Sequence, residues 1–106
     1  MNLLSRSEEL VLLAIWKLKE DAYGVPIREL LSKWTANEWA FGAIYKPLKQ
    51  LVHKDLVQKY ATEPTTERGG RSKYIYELTP KGLEALNDMQ KIQETVWESK
   101  SKIVFE

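Results

Sequence analysis

The sequence of 106 residues contains no cysteine and no long run of apolar residues. Without cysteine, disulfide bonds and thiolate metal sites are excluded, so packing must hold the fold together. No stretch approaches the roughly 20 apolar residues that a membrane span needs, and residues 1–5 lack the basic-then-apolar layout of a signal peptide. We therefore expect a cytoplasmic protein without membrane contact.

The patterns of common enzyme and metal sites are also missing. There is no nucleophile elbow with a Ser-His-Asp order, no glycine loop that would cradle a phosphate, and no pair of acids in an apolar context. His53 is the only histidine, and it has neither cysteine nor paired carboxylates at ligand spacing. We predict that the protein is not an enzyme and binds no metal and no cofactor.

The charge distribution is more informative than the net charge of +1. Residues 41–73 contain seven Lys or Arg against three acids, a local charge of +4, whereas the remainder carries −3. Concentrated positive charge is what phosphate binding needs, because each neutralised phosphate releases condensed counterions. The alternative interpretation is an ordinary solvated surface.

Three helices are predicted in the first half of the chain. Ser5 or Ser7 can cap a first helix whose interior, residues 10–18, is apolar on nearly every side. A helix of that kind needs a cover on two faces, and in a small domain a second subunit would supply one of them. Residues 25–34 have amphipathic spacing that includes Trp34, with Pro26 in the first turn.

The third predicted helix, residues 41–54, is the one with a polar face opposite an apolar one. Ile44, Leu48 and Leu51 lie on its apolar side, and the other side offers hydrogen-bond donors. Pro47 lacks a backbone donor, so it should either bend this helix or mark its first turn.

The second half predicts a hairpin and a long last helix. Residues 56–61 and 73–78 alternate with a period of two, as antiparallel strands do, around a basic tip that contains a Gly-Gly turn. Thr79 and Pro80 form the start signal of a helix that could run to about residue 100 or beyond. Its apolar seam has the alternating spacing of four and three found in coiled coils: Ala85, Met89, Ile92, Val96, Ser99 and Ile103. A partner helix would cover that seam.

This order of elements is that of a winged helix-turn-helix module. We predict a mainly α fold with a small β-hairpin, in which residues 1–79 form a DNA-binding domain and residues 80–106 a C-terminal dimerisation helix. The third helix has the width to enter a DNA major groove, and the hairpin, or wing, reaches the flanking backbone or minor groove.

The sequence resembles the PadR-like family of transcriptional regulators over nearly its whole length. The resemblance is carried by Tyr23-Gly24, by Gly42-Ala43-Ile44-Tyr45 with Leu48 and Leu51, by Gly69-Gly70-Arg71-Ser72-Lys73-Tyr74, and by Tyr76-Glu77-Leu78-Thr79-Pro80-Lys81-Gly82. It implies a dimeric, usually repressing factor that dimerises through its last helix on a palindromic operator. Many members release DNA when a small hydrophobic or phenolic effector binds.

Two positions depart from the family pattern. Tyr45-Lys46-Pro47 stands where the family commonly has Tyr-Pro, which moves the proline by one residue. Asp55 stands where the family usually has a glycine before the first wing strand. Because Asp tolerates the left-handed conformation better than most residues, we expect the turn to form.

Two groups of candidate site residues follow. The partner of the first group is double-stranded DNA, with Lys and Arg on phosphates, Gln50 and His53 on base edges, and Tyr45 either on a phosphate or in the core. This group comprises Tyr45, Lys46, Lys49, Gln50, His53, Arg68, Arg71 and Lys73.

The second group belongs to a homodimer interface or an effector site. It comprises Trp16, Met89, Ile92, Val96 and Trp97. Trp16 and Trp97 could line a flat aromatic slot for a planar ligand, or simply pack between subunits. The alternative function is an interaction module that binds another protein through its Trp-rich surface without sequence-specific DNA binding.

Overall fold

The computed structural model describes residues 3–62 and 73–98. Its helices and strands are α1 Arg6–Leu18, α2 Gly24–Thr35, α3 Phe41–His53, β1 Val57–Ala61, β2 Tyr74–Leu78 and α4 Pro80–Val96, with a 3-10 turn at Lys19–Asp21. The predicted class, mainly helical with a small hairpin, is confirmed. No helix in these two stretches is long and apolar enough to cross a membrane.

Local side-chain chemistry fixes where α1 and α4 begin. Ser5 Oγ accepts from the Glu8 amide at 3.2 Å, and the Glu8 carboxylate accepts from the Ser5 amide at 2.8 Å, which makes a reciprocal capping box. Thr79 Oγ1 accepts from the Gly82 amide at 3.0 Å, and Pro80 occupies the first helical position. Of the two predicted caps for α1, the structure selects Ser5.

Pro47 lies inside α3, six residues after the helix begins. The interpretation of Pro47 as a marker of the first turn is therefore wrong. Its ring is buried beside Ile44, Leu48 and Leu51 on the core side of the helix. Proline cannot donate to the carbonyl four residues earlier, but that residue, Ala43, is exposed and water can replace the missing donor.

The C-terminal ends of α3 and α4 test two predictions made from the sequence. Asp55, just after α3, has φ 63°, so the turn forms with an aspartate in the left-handed region, as predicted. The predicted long C-terminal helix is confirmed in part: α4 runs for 17 residues but ends at Val96, short of residue 100, with Trp97 as a non-helical cap at φ −102°. Residues 93–96 are all exposed, so the other described residues do little to hold the last turn. Ser99 and Ile103 lie outside the described residues.

The core lies between the first three helices and the hairpin. Its fully buried large side chains are Leu12, Ile15, Ile27, Leu31, Ile44, Leu48, Leu51, Val11 and Val57. Trp34 is 39% exposed, although its spacing predicted the apolar side of α2. The strands pair antiparallel from Val57 with Leu78 to Ala61 with Tyr74.

The hairpin is also bonded to the connection between α1 and α2, because the Tyr76 amide donates to the Ala22 carbonyl at 2.8 Å. Separately, α4 packs against the core through half-buried residues, among them Ala85, Leu86 and Met89. The wing and the start of α2 are thus held in one rigid arrangement.

Candidate nucleic-acid interface

One side of α3 is buried and the opposite side is free. Gly42, Lys46, Lys49 and His53 are exposed and follow one another at spacings of four, three and four, which places them along one line of the helix. Gln50 is exposed beside that line. The structure therefore brings together Lys46, Lys49, Gln50 and His53, the predicted DNA contacts of this helix.

Tyr45 lies at the edge of this face, against the start of α2. Its side chain is 49% exposed, so it is not a core residue. Its hydroxyl lies 3.0 Å from the position that a Cβ atom on Gly24 would occupy, and its ring stacks on Phe41 with centroids 6.4 Å apart. Gly24 thus permits the close approach of the Tyr45 hydroxyl to α2.

The turn between α2 and α3 is held by Arg28. The Arg28 Nε donates to the Trp39 carbonyl, and Nη2 lies 3.3 Å from the Glu38 carboxylate. The guanidinium also lies over the Phe41 ring, 5.0 Å from its centroid. One side chain of α2 therefore positions both the turn and the first residue of α3.

Trp39 makes two further hydrogen bonds from the same turn. Its amide donates to Ser32 Oγ at 3.1 Å, and its indole Nε1 donates to Thr35 Oγ1 at 2.9 Å. Neither Arg28 nor these contacts were among the predicted site residues. Their partners lie 4 to 11 residues away and follow no repeating spacing, so no periodic signal could have indicated them.

The far end of α3 is tied to α1 by a buried ion pair. Lys54 Nζ lies 2.7 Å from a Glu8 carboxylate oxygen, and Glu8 is 4% exposed. Burial by itself raises the pKa of the Glu8 carboxyl, but hydrogen bonds from Lys54 and Ser5 and the charge of Lys54 together hold it below its usual value of 4.5. Lys54 is therefore already neutralised and adds little to the positive cluster.

The root of the wing carries two lysines that lie over tyrosine rings. Lys73 Nζ lies 3.6 Å from the Tyr23 ring centroid, and Lys59 Nζ lies 4.7 Å from that of Tyr74. The predicted contact Lys73 is thus held beside the start of α2. The other two predicted wing contacts, Arg68 and Arg71, lie outside the described residues.

Tyr76, on the second strand, is buried and has Tyr45 and Tyr74 as electrostatic neighbours. Burial, and then the neighbouring tyrosines Tyr45 and Tyr74, raise the pKa of Tyr76 above its usual value of 10.0. Its hydroxyl therefore stays protonated at neutral pH and adds no negative charge to this surface.

The second group of predicted residues lies along α4. Trp16 and Met89 border a groove of about 550 Å³ between α1 and α4. Met89 and Ile92 border a smaller cleft of about 240 Å³ that also includes Leu56. Trp97 borders neither cavity.

Val96 and Trp97 form the exposed end of this group. They are 68% and 49% exposed. Trp16 adjoins Leu83 and Leu86, whereas Trp97 lies 11 residues beyond Leu86, a distance of roughly 16 Å along a helix. The two tryptophans therefore do not line a common slot within one chain. Among the residues that the structure describes, no group of three His, Cys, Asp or Glu could hold a metal ion.

Comparisons with known proteins agree with the architecture. The model of the family described as "Transcriptional regulator PadR-like family" matches residues 11–88. A PadR-like transcription factor from Bacteroides fragilis is similar in structure, with 26% identity, a TM-score of 0.71, and coverage of 89% of this chain and 88% of that one. No curated protein matches the sequence significantly.

Two further solved structures are similar. A PadR family transcription regulator from Clostridium difficile R20291 is 27% identical, with a TM-score of 0.61 and coverage of 89% of this chain and 88% of that one. A PadR-like regulator from Bacillus cereus is 24% identical, with a TM-score of 0.71 and coverage of 87% and 84%.

Proposed function

Because the chain belongs to the PadR-like family of transcriptional regulators, we propose that it binds a palindromic operator as a homodimer and represses transcription. The observation that carries this proposal is α3. Its core face is buried, its opposite face exposes Lys46, Lys49 and His53 in one line, and the turn before it is fixed by Arg28. A positioned helix with a basic exposed face is the reading element of helix-turn-helix proteins.

In this function each side chain has a chemical role. Lys46 and Lys49 neutralise phosphates at the edges of the major groove, and Gln50 and His53 reach base edges. Lys73, together with Arg68 and Arg71, contacts the flanking backbone from the wing. The Tyr23 ring positions the Lys73 ammonium near the start of α2.

Exposed apolar residues on α4 support dimerisation. Val96 and Trp97 are exposed at its end, and Leu83 is 47% exposed along the groove, which Trp16 of α1, itself 38% exposed, also borders. Apolar surface concentrated on one long helix indicates an interface with another molecule. Two copies related by a two-fold axis would cover the seams of both α4 helices and place two reading helices on a palindrome.

We assign the groove between α1 and α4 to a small planar hydrophobic or phenolic effector. Trp16 lies in the groove and Trp97 lies beyond it, so an aromatic slot with both residues requires Trp97 of the partner subunit. An effector in such a slot would contact both subunits at the dimer interface. Binding there would change the distance between the two reading helices and release the operator.

DNA binding is tested by selecting bound fragments from genomic DNA with the purified protein. For the operator obtained, the logarithm of the binding constant should fall with the logarithm of the salt concentration, with a slope of about −0.9 per phosphate contact. Lys49→Glu should weaken binding and make this slope shallower by the equivalent of about 1 to 2 phosphate contacts. Lys91→Glu, on the exposed surface of α4, is the matched control. The proposal is wrong if no genomic fragment, including those from the protein's own promoter region, binds better than random DNA at physiological salt.

Dimerisation is tested by sedimentation of Val96→Asp. This change should yield a folded monomer, because the side chain has few contacts within its own chain. Loss of the second reading helix should weaken operator binding by about 10² to 10⁴. Glu94→Lys changes a charge on the opposite side of α4 and should remain dimeric. A wild-type monomer at operator-binding concentrations would contradict the proposal.

The effector slot is tested by quenching of tryptophan fluorescence with planar apolar compounds. Quenching should fall in Trp97→Ala, and the compounds should release operator DNA. A Trp97→Ala variant that is quenched as strongly as the wild type would remove Trp97 from the slot.

A further inference from the structure

The exposed face of α3 is divided along its length. Residues 41–44, its first turn, carry no side chain with a hydrogen-bonding group. Phe41 is 42% exposed, and Gly42 and Ala43 are also exposed. The polar side chains of the reading face begin only after this turn. The part of the helix that comes first is therefore apolar, and the part that follows is basic and polar.

The Phe41 ring is exposed but held in place. The Arg28 guanidinium lies 5.0 Å from its centroid, and the Tyr45 ring stacks on it at 6.4 Å with an interplanar angle of 23°. Arg28 is itself fixed by the Trp39 carbonyl and the Glu38 carboxylate. A ring ordered by its neighbours but left open to solvent is preorganised to contact another molecule, because little entropy is lost when it is covered.

Gly42 lies at the outermost point of this turn, in line with Lys46, Lys49 and His53. Among the described residues, no atom lies within 4 Å of the position that a Cβ on Gly42 would occupy, and its backbone is helical. Glycine is less favourable than alanine within a helix, and here neither a left-handed φ nor a close contact requires it. Its effect is to let another molecule approach the helix backbone closely.

We propose that the first turn of α3 recognises thymine by packing on C5-methyl groups in the major groove. The inference rests on the proposed function, in which α3 enters that groove. The N-terminal residues of a recognition helix contact base edges, so the first turn of α3 can add to the contacts of Gln50 and His53. The C5-methyl of thymine is the apolar group that base pairs present there, while the other major-groove edges need donors or acceptors that residues 41–44 lack. Phe41 packs on the methyl, and Gly42 permits the approach.

The test uses the operator obtained by genomic selection and full-length protein. Each thymine is replaced singly by deoxyuridine, which removes the methyl and keeps the base pair. At a contacted position the affinity should fall about fourfold, the equivalent of about 0.8 kcal/mol for one buried CH₂ group. Thymines outside the groove positions facing α3 are internal controls and should show no change.

Two substitutions assign the effect to the first turn. Phe41→Ala should bind thymine and deoxyuridine operators equally at the responsive position, whereas Phe41→Leu should retain the preference. Gly42→Ala should bind the operator at least about fivefold more weakly, as overpacking a contact predicts, without a lower melting temperature. If Phe41→Ala does not fold, the deoxyuridine series on the wild type and Gly42→Ala decide.

The outcomes separate the two proposals. If the operator binds specifically but no thymine responds to deoxyuridine, methyl recognition is wrong and the DNA-binding function stands. The same holds if Phe41→Ala keeps the full preference for thymine. If no fragment binds better than random DNA, both proposals are wrong.

Discussion

The first turns of α3 and α4 each contain one glycine, and the two glycines have opposite surroundings. A Cβ on Gly82 would lie 2.1 Å from the Leu56 carbonyl oxygen and 2.7 Å from Leu78 Cδ2. A Cβ on Gly42 would meet nothing within 4 Å among the described residues. The start of α4 is thus fitted closely to the chain's own backbone, whereas the described residues leave the space beside Gly42 at the start of α3 open.

Hydrogen bonds strengthen the contrast. Thr79 Oγ1 donates to the Asp55 carbonyl at 2.7 Å while it accepts from Gly82, and the Thr79 amide donates to the Leu56 carbonyl at 3.0 Å. The start of α4 is therefore joined to the segment between α3 and β1.

The largest expected effect comes from Gly82→Ala. The added methyl would meet the Leu56 backbone, which cannot rotate away, so we expect a loss of about 3 kcal/mol in the free energy of unfolding. Urea unfolding measures the change. Stability equal to that of the wild type would show that α4 does not approach Leu56 this closely.

Lys54→Met should cost about 2 kcal/mol, since it leaves Glu8 buried and without its charged partner. This substitution extends the comparison to the C-terminal end of α3. That end is bound to α1 by the Lys54–Glu8 ion pair, whereas the described residues leave space open at the first turn of α3. Arg6→Ala, which removes a solvent-exposed ion pair with Glu9, is the control and should change stability little. Equal effects of the two changes would contradict the structural role of the Glu8 pair.

The same pair predicts a pH dependence. The pKa of Glu8 is lower in the folded chain than its usual value of 4.5, so its stabilising contribution is complete above that value and is lost as the pH falls through the lower, folded one. Wild-type stability should therefore decline on acidification below about pH 4.5. Urea unfolding at stepped pH should show a smaller decline for Glu8→Gln, and an equal decline would assign the effect to other carboxyls.

Thr79→Ala should cost about 1 kcal/mol, because it removes the N-cap of α4 and the donor to Asp55. Thr79→Ser keeps the hydroxyl and should remain close to wild type. Thermal unfolding of both variants measures the difference. If serine destabilises as much as alanine, the methyl group and not the cap is responsible.

Gly42→Ala should have the smallest effect on stability and the opposite sign to Gly82→Ala. Alanine is the better helix former and the position is open, so a gain of up to about 0.5 kcal/mol is expected. Urea unfolding beside Gly82→Ala gives a direct comparison. A loss as large as that of Gly82→Ala would remove the difference between the two turns.

Local chemistry made much of this fold predictable from sequence. Thr79 and Pro80 mark the start of α4, and the alternation around residues 57–61 marks a strand, because each depends on neighbours in the chain. The choice of Ser5 over Ser7 could also have been made, since Glu8 stands three residues after Ser5 in a capping-box pattern.

Contacts between distant segments were not predictable in this way. Glu8 and Lys54 are 46 residues apart, and the charge of Lys54 was counted with a DNA-binding cluster that it does not join. The open space beside Gly42 was equally unpredictable, because a sequence shows a glycine but not which residues surround it. The end of α4 depends on what packs against its last turn, which lies outside the local sequence pattern.

Within residues 3–62 and 73–98, three junctions between elements contain a residue other than glycine at positive φ: Lys19 at 55°, Ala36 at 54° and Asp55 at 63°. A side chain in this region costs roughly 1 to 2 kcal/mol relative to a relaxed backbone. At Lys19 and Ala36 a glycine would avoid this cost, whereas Asp55 tolerates the left-handed region better than most residues. For protein engineering, Ala36→Gly is the simplest change expected to raise the free energy of unfolding. Ala36 is exposed, lies between α2 and α3, and would lose only a methyl group.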